Sequence, residues 1–302
     1  MAAEFESQKP SAEQRVAELV LLLDLEPRGP DRFEGRRRKD GIGRVFGGQV
    51  IAQALAAAER SVPDDRVPHS LHAYFLRGGS EDCTIDYAVD RQFDGRSFCN
   101  RRVVASQQCA PIFNLTASFQ LPQEGLHHQH VVMPDVPPPE ELPGQEEVLR
   151  SVWDQLNERQ RFFATRPSPL DTRLIGVNSL LGEIPQEPVK QVWVRTCAAL
   201  PDAPRIHRAV LAYISDLFLL STSALPFALN FLRNDVKMAS LDHALWFHEP
   251  FRADEWLLYS TDSPWAGHAR GFNRGYFFTR DGRLVASTAQ EGMMRPIHKA
   301  AG

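Results

Sequence analysis

The chain nearly repeats itself. His69–Arg77 reads HSLHAYFLR and Leu241–Glu249 reads LDHALWFHE, each with an aromatic pair, Tyr74-Phe75 or Trp246-Phe247, ahead of a basic residue. Further on, TASFQ ends at Gln120 and ASTAQ ends at Gln290. The offset stays near 170 residues. That is far longer than a solenoid unit of roughly 20 to 50 residues. It predicts two copies of one small domain fused in a single chain, and 302 residues suffice for two domains of about 150. The copies differ in chemistry. Asp216, Ser240 and Gln290 form a polar set in the second half that the first half does not reproduce.

The pattern along each half is one long helix and a run of strands. Ser11–Asp24 reads as an amphipathic helix capped by Ser11, with Val16, Leu19, Val20 and Leu23 on one face. VFGGQVIAQALAAAERSV reads as a helix entered through Gly47-Gly48. Leu71–Leu76, Thr84–Phe93, Arg101–Gln107 and Ile112–Gln120 alternate as strands. In the second half, Val192–Ala198 is a strand and Arg208–Ser221 an apolar helix. Ser240–His248, Trp256–Ser263, Arg270–Arg280 and Leu284–Met293 are strands, with Asp281-Gly282 as a hairpin turn. A helix covering one face of a curved antiparallel sheet is an α+β layout. Two such copies can join sheet edge to sheet edge, which removes an exposed edge. The chain divides into a helical lead-in over 1–30, a first domain over 31–131, a proline-rich linker and insertion over 132–190, a second domain over 191–296, and a tail over 297–302.

Composition narrows the class. A net charge of −4, from 34 basic and 38 acidic residues, argues against a dedicated nucleic-acid binder. The four cysteines, Cys83, Cys99, Cys109 and Cys197, show no CxxC pair and read as reduced structural thiols. The N-terminus is polar and does not read as a secretory signal. Leu19–Leu25 is far shorter than the ~18 residues of a membrane span, so no membrane insertion is expected. The chain ends HKAAG rather than Ser-Lys-Leu. A cytoplasmic location is the expectation.

Asp216 carries the chemistry. It sits in AYISDLFLL, among apolar neighbours, where an unpaired carboxylate is costly. A capping aspartate is the structural reading. The flanking apolar run predicts a helix interior rather than a helix end, which favours a water-orienting group. Ser240, alone, reads as an edge or turn residue. Gln290, alone, reads as a surface amide able to donate and accept at once. Aligning Phe75 with Phe247 sets Pro68, which has no hydroxyl, opposite Ser240. Gln120 matches Gln290, so the glutamine by itself reads as structural in one copy. One site per chain, built mainly in the second half, follows. His69 is the alternative general base, although a hydrogen-bonded structural histidine is the simpler reading, since His72 and His243 recur in similar sheet contexts. GIGRVFG is GxGxxxG and lacks the preceding strand of a dinucleotide fold. HHQH at 127–130 has no acidic or cysteine partner at metal-site spacing. No GxSxG elbow occurs. The basic run Arg36–Lys39 reads as a solvated loop.

These residues lie within longer blocks: VFGGQVIAQAL, HSLHAYFLRGG, PIFNLTASFQ, MPDVPPPEEL, AYISDL, LDHALWFHEPFRADEWLLY, SPWAGHARGF and VASTAQEG. Together they resemble the acyl-CoA thioesterase II (TesB-type) family, from about Leu25 to Arg295. The resemblance implies two tandem hotdog domains, each a long helix wrapped by a curved antiparallel sheet. It implies an acyl-CoA substrate, no cofactor, no metal, and a homo-oligomer, dimer or tetramer. It also implies that Asp216, Ser240 and Gln290 jointly bind the hydrolytic water, with serine where many bacterial members carry threonine. Asp216 would then be the general base. Gly47 and Gly48, at a helix start, are candidates for the oxyanion donors. Two rivals stand beside this reading. A hotdog enoyl-CoA hydratase needs an Asp-His pair on one face, whereas Asp242 and His243 are adjacent on a strand and point to opposite faces. A non-catalytic acyl-CoA binding module would not need the polar set.

Overall fold

The computed structural model describes residues 10–38, 43–176 and 184–297. Most of the polar N-terminal segment, Lys39, the start of the GIGRVFG run and the tail beyond 297 lie outside them. The first helix, α1 (Ala12–Leu23), begins as its sequence predicts. Ser11 and Gln14 form a capping box, each side chain bonded to the other's backbone N–H. Val16, Leu19 and Leu23 are buried.

Two short strands, β1 (Leu25–Pro27) and β2 (Arg32–Gly35), lead to α2 (Gly47–Glu59). The latter is buried nearly all round, with Ile51, Ala52, Ala54, Leu55, Ala57 and Ala58 at 0% exposure. An apolar helix without a polar face can only be a core helix. The first-half strands are β3 (Val67–Phe75), β4 (Ile85–Asp94), β5 (Phe98–Gln107) and β6 (Ala110–Gln120). Two short helices, α3 (Gln145–Val152) and α4 (Glu158–Ala164), precede β7 (Leu170–Leu174) and β8 (Val189–Thr196). Then come α5 (Pro204–Ser215), β9 (Val236–Ser240), β10 (Asp242–Phe247), β11 (Leu257–Gly267), β12 (Arg270–Thr279) and β13 (Leu284–Pro296).

All strands form one antiparallel sheet in the order β1-β2-β4-β5-β6-β3-β10-β13-β12-β11-β8-β7, with β9 added on β13. The order is a palindrome about the β3–β10 seam, where Leu71 faces Leu245. Each strand of the first half has a counterpart at the mirrored place in the second. The repeat in the sequence is therefore a pair of hotdog units joined edge to edge, with α2 and α5 packed side by side against the inner face.

Three sequence expectations change. Arg208–Ser221 is not one helix. The helix α5 stops at Ser215, Asp216 is its C-cap, Phe218 takes a left-handed φ of 66°, and a 3₁₀ segment resumes at Leu220–Phe227. Asp216 is thus at a helix end, not in a helix interior. The apolar run that suggested continuity is apolar because the 3₁₀ segment is packed too. Although Pro204–Phe227 has the length and apolarity of a membrane span, most of it is buried in the protein.

Gln120 is not the counterpart of Gln290. On β6 the alternating buried positions are Phe113, Leu115, Ala117 and Phe119, whereas Gln120 is on the opposite, partly exposed face. On β13 the buried set includes Ala286, Thr288 and Gln290. The register agrees: Ala117 pairs with Arg101 on β5, as Gln290 pairs with Asn273 on β12. A slip of one residue exchanges the two faces of a strand, so the matching glutamines are a coincidence of letters.

The proline-rich stretch is also more than a spacer. Val131, Met133 and Val136 pack over Trp193, Trp256, Leu258 and Phe278 on the outer face of the second half. Pro137 O accepts the Trp193 indole N–H at 2.9 Å. Gln129 donates to Gly282 O and accepts from Leu284 N–H. The insertion then supplies β7 to the sheet edge, paired with β8.

Candidate active site

Asp216 ends α5 facing the start of α2, so the site lies where the two halves meet. Its Oδ1 accepts from Gln290 Nε2 at 2.6 Å and from Ser240 Oγ at 3.3 Å. The Gly48 N–H lies near enough to favour the ionised form of this carboxylate. The three side chains come from three elements: the end of α5, the end of β9 and the middle of β13. Residue 216 keeps some accessible surface, yet dehydration pushes its carboxyl up to about 6, outweighing the bonds from Gln290 and Ser240 and the nearby Gly48 N–H, which pull it down.

The two glycines make this approach possible. A Cβ on Gly47 would stand 2.6 Å from Asp216 Oδ2, and one on Gly48 would stand 2.3 Å from Tyr213 O and 2.4 Å from the Phe46 ring. A methyl at either position would have to displace a neighbour, a side chain at Gly47 and a backbone carbonyl at Gly48. Because the first turn of a helix presents N–H groups without intrahelical partners, the first half contributes dipoles and the second half the carboxylate. The site is thus not confined to the second half.

Beneath Asp216 lies a buried polar floor. Gln290 is 0% exposed, and its Nε2 also contacts His243 Nδ1 at 3.1 Å. His243 Nε2 lies 2.9 Å from Ser215 Oγ, which donates to Ala212 O. The Tyr259 hydroxyl donates to Ser215 O at 2.7 Å, and its ring stacks on Phe277. Two acceptors in this floor, Gln290 Oε1 and Asn273 Oδ1, are buried without a protein donor. They belong to directly paired residues. His243, Ser215 and Asn273 were missed as site residues. The signal available for His243 was its place between Ser240 and the aromatic pair, and it reads in sequence as just another sheet histidine.

His69 is elsewhere. Its Nε2 is 2.8 Å from Ser118 Oγ and its ring meets Phe98 edge-on. Phe75, at the other end of β3, is the residue that reaches Gly47, and six strand residues span about 20 Å. The HHQH run is exposed, with His127 Nε2 3.5 Å from a Glu249 carboxylate oxygen. Among the described residues no group of three His, Cys, Asp or Glu side chains is placed to hold a metal ion.

The mirrored helix end in the first half also carries a carboxylate, but one engaged by a guanidinium: Glu59, the last residue of α2, accepts from Arg208 near the start of α5 at 2.7 Å. The C-cap of α2 is Arg60, whose guanidinium bonds Leu25 O and Asp24. Ala117 stands for Gln290. The asymmetry expected between the halves is therefore present, on different residues from those the sequence alignment paired.

Comparison with known proteins places this architecture. Residues 36–120 match the family model described as acyl-CoA thioesterase N-terminal domain, and residues 156–293 match the one described as acyl-CoA thioesterase. The chain is 38% identical over 293 residues to acyl-coenzyme A thioesterase 8 of Homo sapiens, covering 95% of this chain and 91% of that protein. It is 38% identical over 280 residues to acyl-CoA thioesterase 2 of Haemophilus influenzae, covering 92% and 96%. Its fold is similar to the crystal structure of acyl-CoA thioesterase II TesB2 from Mycobacterium marinum, with a TM-score of 0.75, 40% identity, and coverage of 91% of this chain and 97% of that one. With two hotdog units in one sheet and this degree of identity over nearly its whole length, the chain belongs to the acyl-CoA thioesterase family and is a hydrolase of acyl-CoA thioesters.

Proposed function

We propose that this enzyme hydrolyses fatty acyl-CoA to free fatty acid and coenzyme A by direct attack of a water molecule held by Asp216, Ser240 and Gln290. The observation that carries this reading is the convergence of Gln290 Nε2 and Ser240 Oγ on one oxygen of a dehydrated carboxylate. A water at Asp216 can donate one O–H to the carboxylate. The other O–H can go to Gln290 Oε1, which has no protein donor. As the water oxygen bonds to the thioester carbonyl carbon, Asp216 takes its proton. The negative charge moves to the carbonyl oxygen, where the Gly47 N–H and the positive end of α2 stabilise it. Collapse breaks the carbon–sulfur bond, and the proton on Asp216 goes to the departing thiolate. A carboxyl held near 6 suits both halves of that transfer at neutral pH.

Asp242 accepts from the Glu291 N–H while His243 faces the interior, an arrangement that disfavours the hydratase alternative. The homo-oligomer and the cytoplasmic location are part of the same proposal; sedimentation of the purified protein and cell fractionation test them.

A single turnover in oxygen-18 water tests the chemistry. Direct attack puts the heavy oxygen in the released fatty acid. If Asp216 were instead acylated, rapid quench would trap an added acyl mass on it, and water opening the anhydride at the aspartyl carbonyl would leave the label on the enzyme; either result overturns the direct-water reading.

A further inference from the structure

The amide of Gln290 has two unlike faces, and the proposed reaction needs one orientation. Nε2 must point to Asp216, so that Oε1 is left for the water. While Asp216 is ionised, charge enforces this, because a rotated amide would set a carbonyl oxygen against a carboxylate. Once Asp216 has taken the proton it can donate as well as accept. The electrostatic restraint then disappears in mid-reaction, before the proton is passed to the thiolate.

A second restraint lies on the other side of the amide. Gln290 Nε2 is 3.1 Å from His243 Nδ1, and His243 Nε2 is 2.9 Å from Ser215 Oγ. The Ser215 hydroxyl proton is committed to Ala212 O at 2.8 Å. Oγ must therefore accept from His243, which puts the ring proton on Nε2 and leaves Nδ1 bare. A bare imidazole nitrogen only accepts. It holds the Gln290 N–H whatever the state of Asp216.

We propose that His243 is a positioning residue for thioester hydrolysis: its unprotonated Nδ1 keeps the Gln290 amide in one orientation through both protonation states of Asp216. The proposal rests on the water-attack reading above. It requires a neutral ring. His243 is 1% exposed, both ring nitrogens are engaged by Ser215 and Gln290, and burial pushes its pKa down to about 3. The relay is absent from the mirrored place in the first half, where Leu71 lies opposite Ala117 and neither side chain forms hydrogen bonds.

The test is a pair of variants of one shape. His243→Leu removes the acceptor, whereas His243→Asn can return an oxygen near the place of Nδ1. Thiol release from lauroyl- and palmitoyl-CoA is followed on the full chain. His243→Leu is expected to lower kcat about tenfold with KM within about twofold, the scale of one lost orienting hydrogen bond. His243→Asn is expected to stay within about threefold of the parent. On a Gln290→Ala background His243→Leu should add nothing, since it acts through that glutamine. Parent-like kcat in folded His243→Leu, equal losses in the two variants, or additive losses in the double variant overturns the proposal. If His243→Leu shows no cooperative melting, Ser215→Ala takes its place. It frees the ring to change tautomer and should lower kcat at least threefold at constant KM; no change in kcat then overturns the proposal. Gln290→Ala also separates the two levels of inference. Unimpaired turnover there sinks the water-attack reading itself, whereas an impaired Gln290→Ala beside a parent-like His243→Leu sinks only the role of His243.

Discussion

Gly47 stands so close to Asp216 that a Cβ on it would lie 2.6 Å from Oδ2, and this approach joins the two halves of the molecule. The start of one core helix meets the end of the other. In a sheet with a palindromic strand order this meeting could occur twice. It does, with different chemistry: the carboxylate of Asp216 meets Gln290, Ser240 and a helix start, whereas that of Glu59 is paired with the Arg208 guanidinium.

The close approach at this junction separates two glycine substitutions. Gly47→Ala places a methyl 2.6 Å from Asp216 Oδ2 and 3.0 Å from the Phe75 ring. Those are side-chain atoms that can shift, so the protein should fold with kcat lowered at least tenfold as the carboxylate is displaced. Gly48→Ala meets a backbone carbonyl, Tyr213 O, at 2.3 Å. It should cost about 1–3 kcal/mol of stability or more. Thermal melting beside steady-state kinetics distinguishes them, and a reversed ranking would contradict the geometry.

Asp216→Asn should lower kcat by about 100-fold or more while stabilising the fold at neutral pH. An unfolded aspartate ionises near 3.9, and the folded one near 6. Below about pH 4 both states are protonated and the burial of Asp216 carries no electrostatic penalty. Between about 4 and 6 the folded state binds more protons, so stability falls as pH rises. Above about 6 the penalty is complete. Because residue 216 keeps some accessible surface, the gain from Asn should be about 1–2 kcal/mol, less than the full shift implies. Denaturant titrations at pH 4 and pH 8 should show the variants alike at the lower pH and apart at the higher. The parent kcat should fall below about pH 6, the pKa of a base that works ionised.

Ser240→Thr should keep most activity, since the hydroxyl bonded to Asp216 remains. Ser240→Ala should lose roughly tenfold or more, having lost that partner. Intact-mass spectrometry after rapid quench should find no acyl group on Ser240; an acyl adduct mapped there would replace water by serine as the nucleophile.

Gln120→Ala should be nearly silent, within about 0.5 kcal/mol in stability and unchanged in kcat, because Gln120 is on the partly exposed face of β6. Gln290→Ala should cripple turnover, since it removes the donor to Asp216 and the contact with His243 together. Measured side by side, the two substitutions test the register of β6 against that of β13.

The repeat, the two buried helices, the strands and the set Asp216, Ser240 and Gln290 could all be read from the chain. Apolar periodicity and caps are local properties, and the spacing of the two copies is a property of letters. The sequence alone could not say that α5 stops at Ser215. Burial makes the following turn as apolar as the helix, and only the backbone reversal at Phe218 reveals the end. Nor could it assign the faces of β6 and β13, where one residue of register decides whether a glutamine reaches the interior. The place of Gly47 against Asp216, the bond from Gln290 to His243 and the pairing of Glu59 with Arg208 depend on which helix end meets which. That is set by the joining of two sheets at β3 and β10, a contact between residues far apart in the chain, and so it was decided by the tertiary structure.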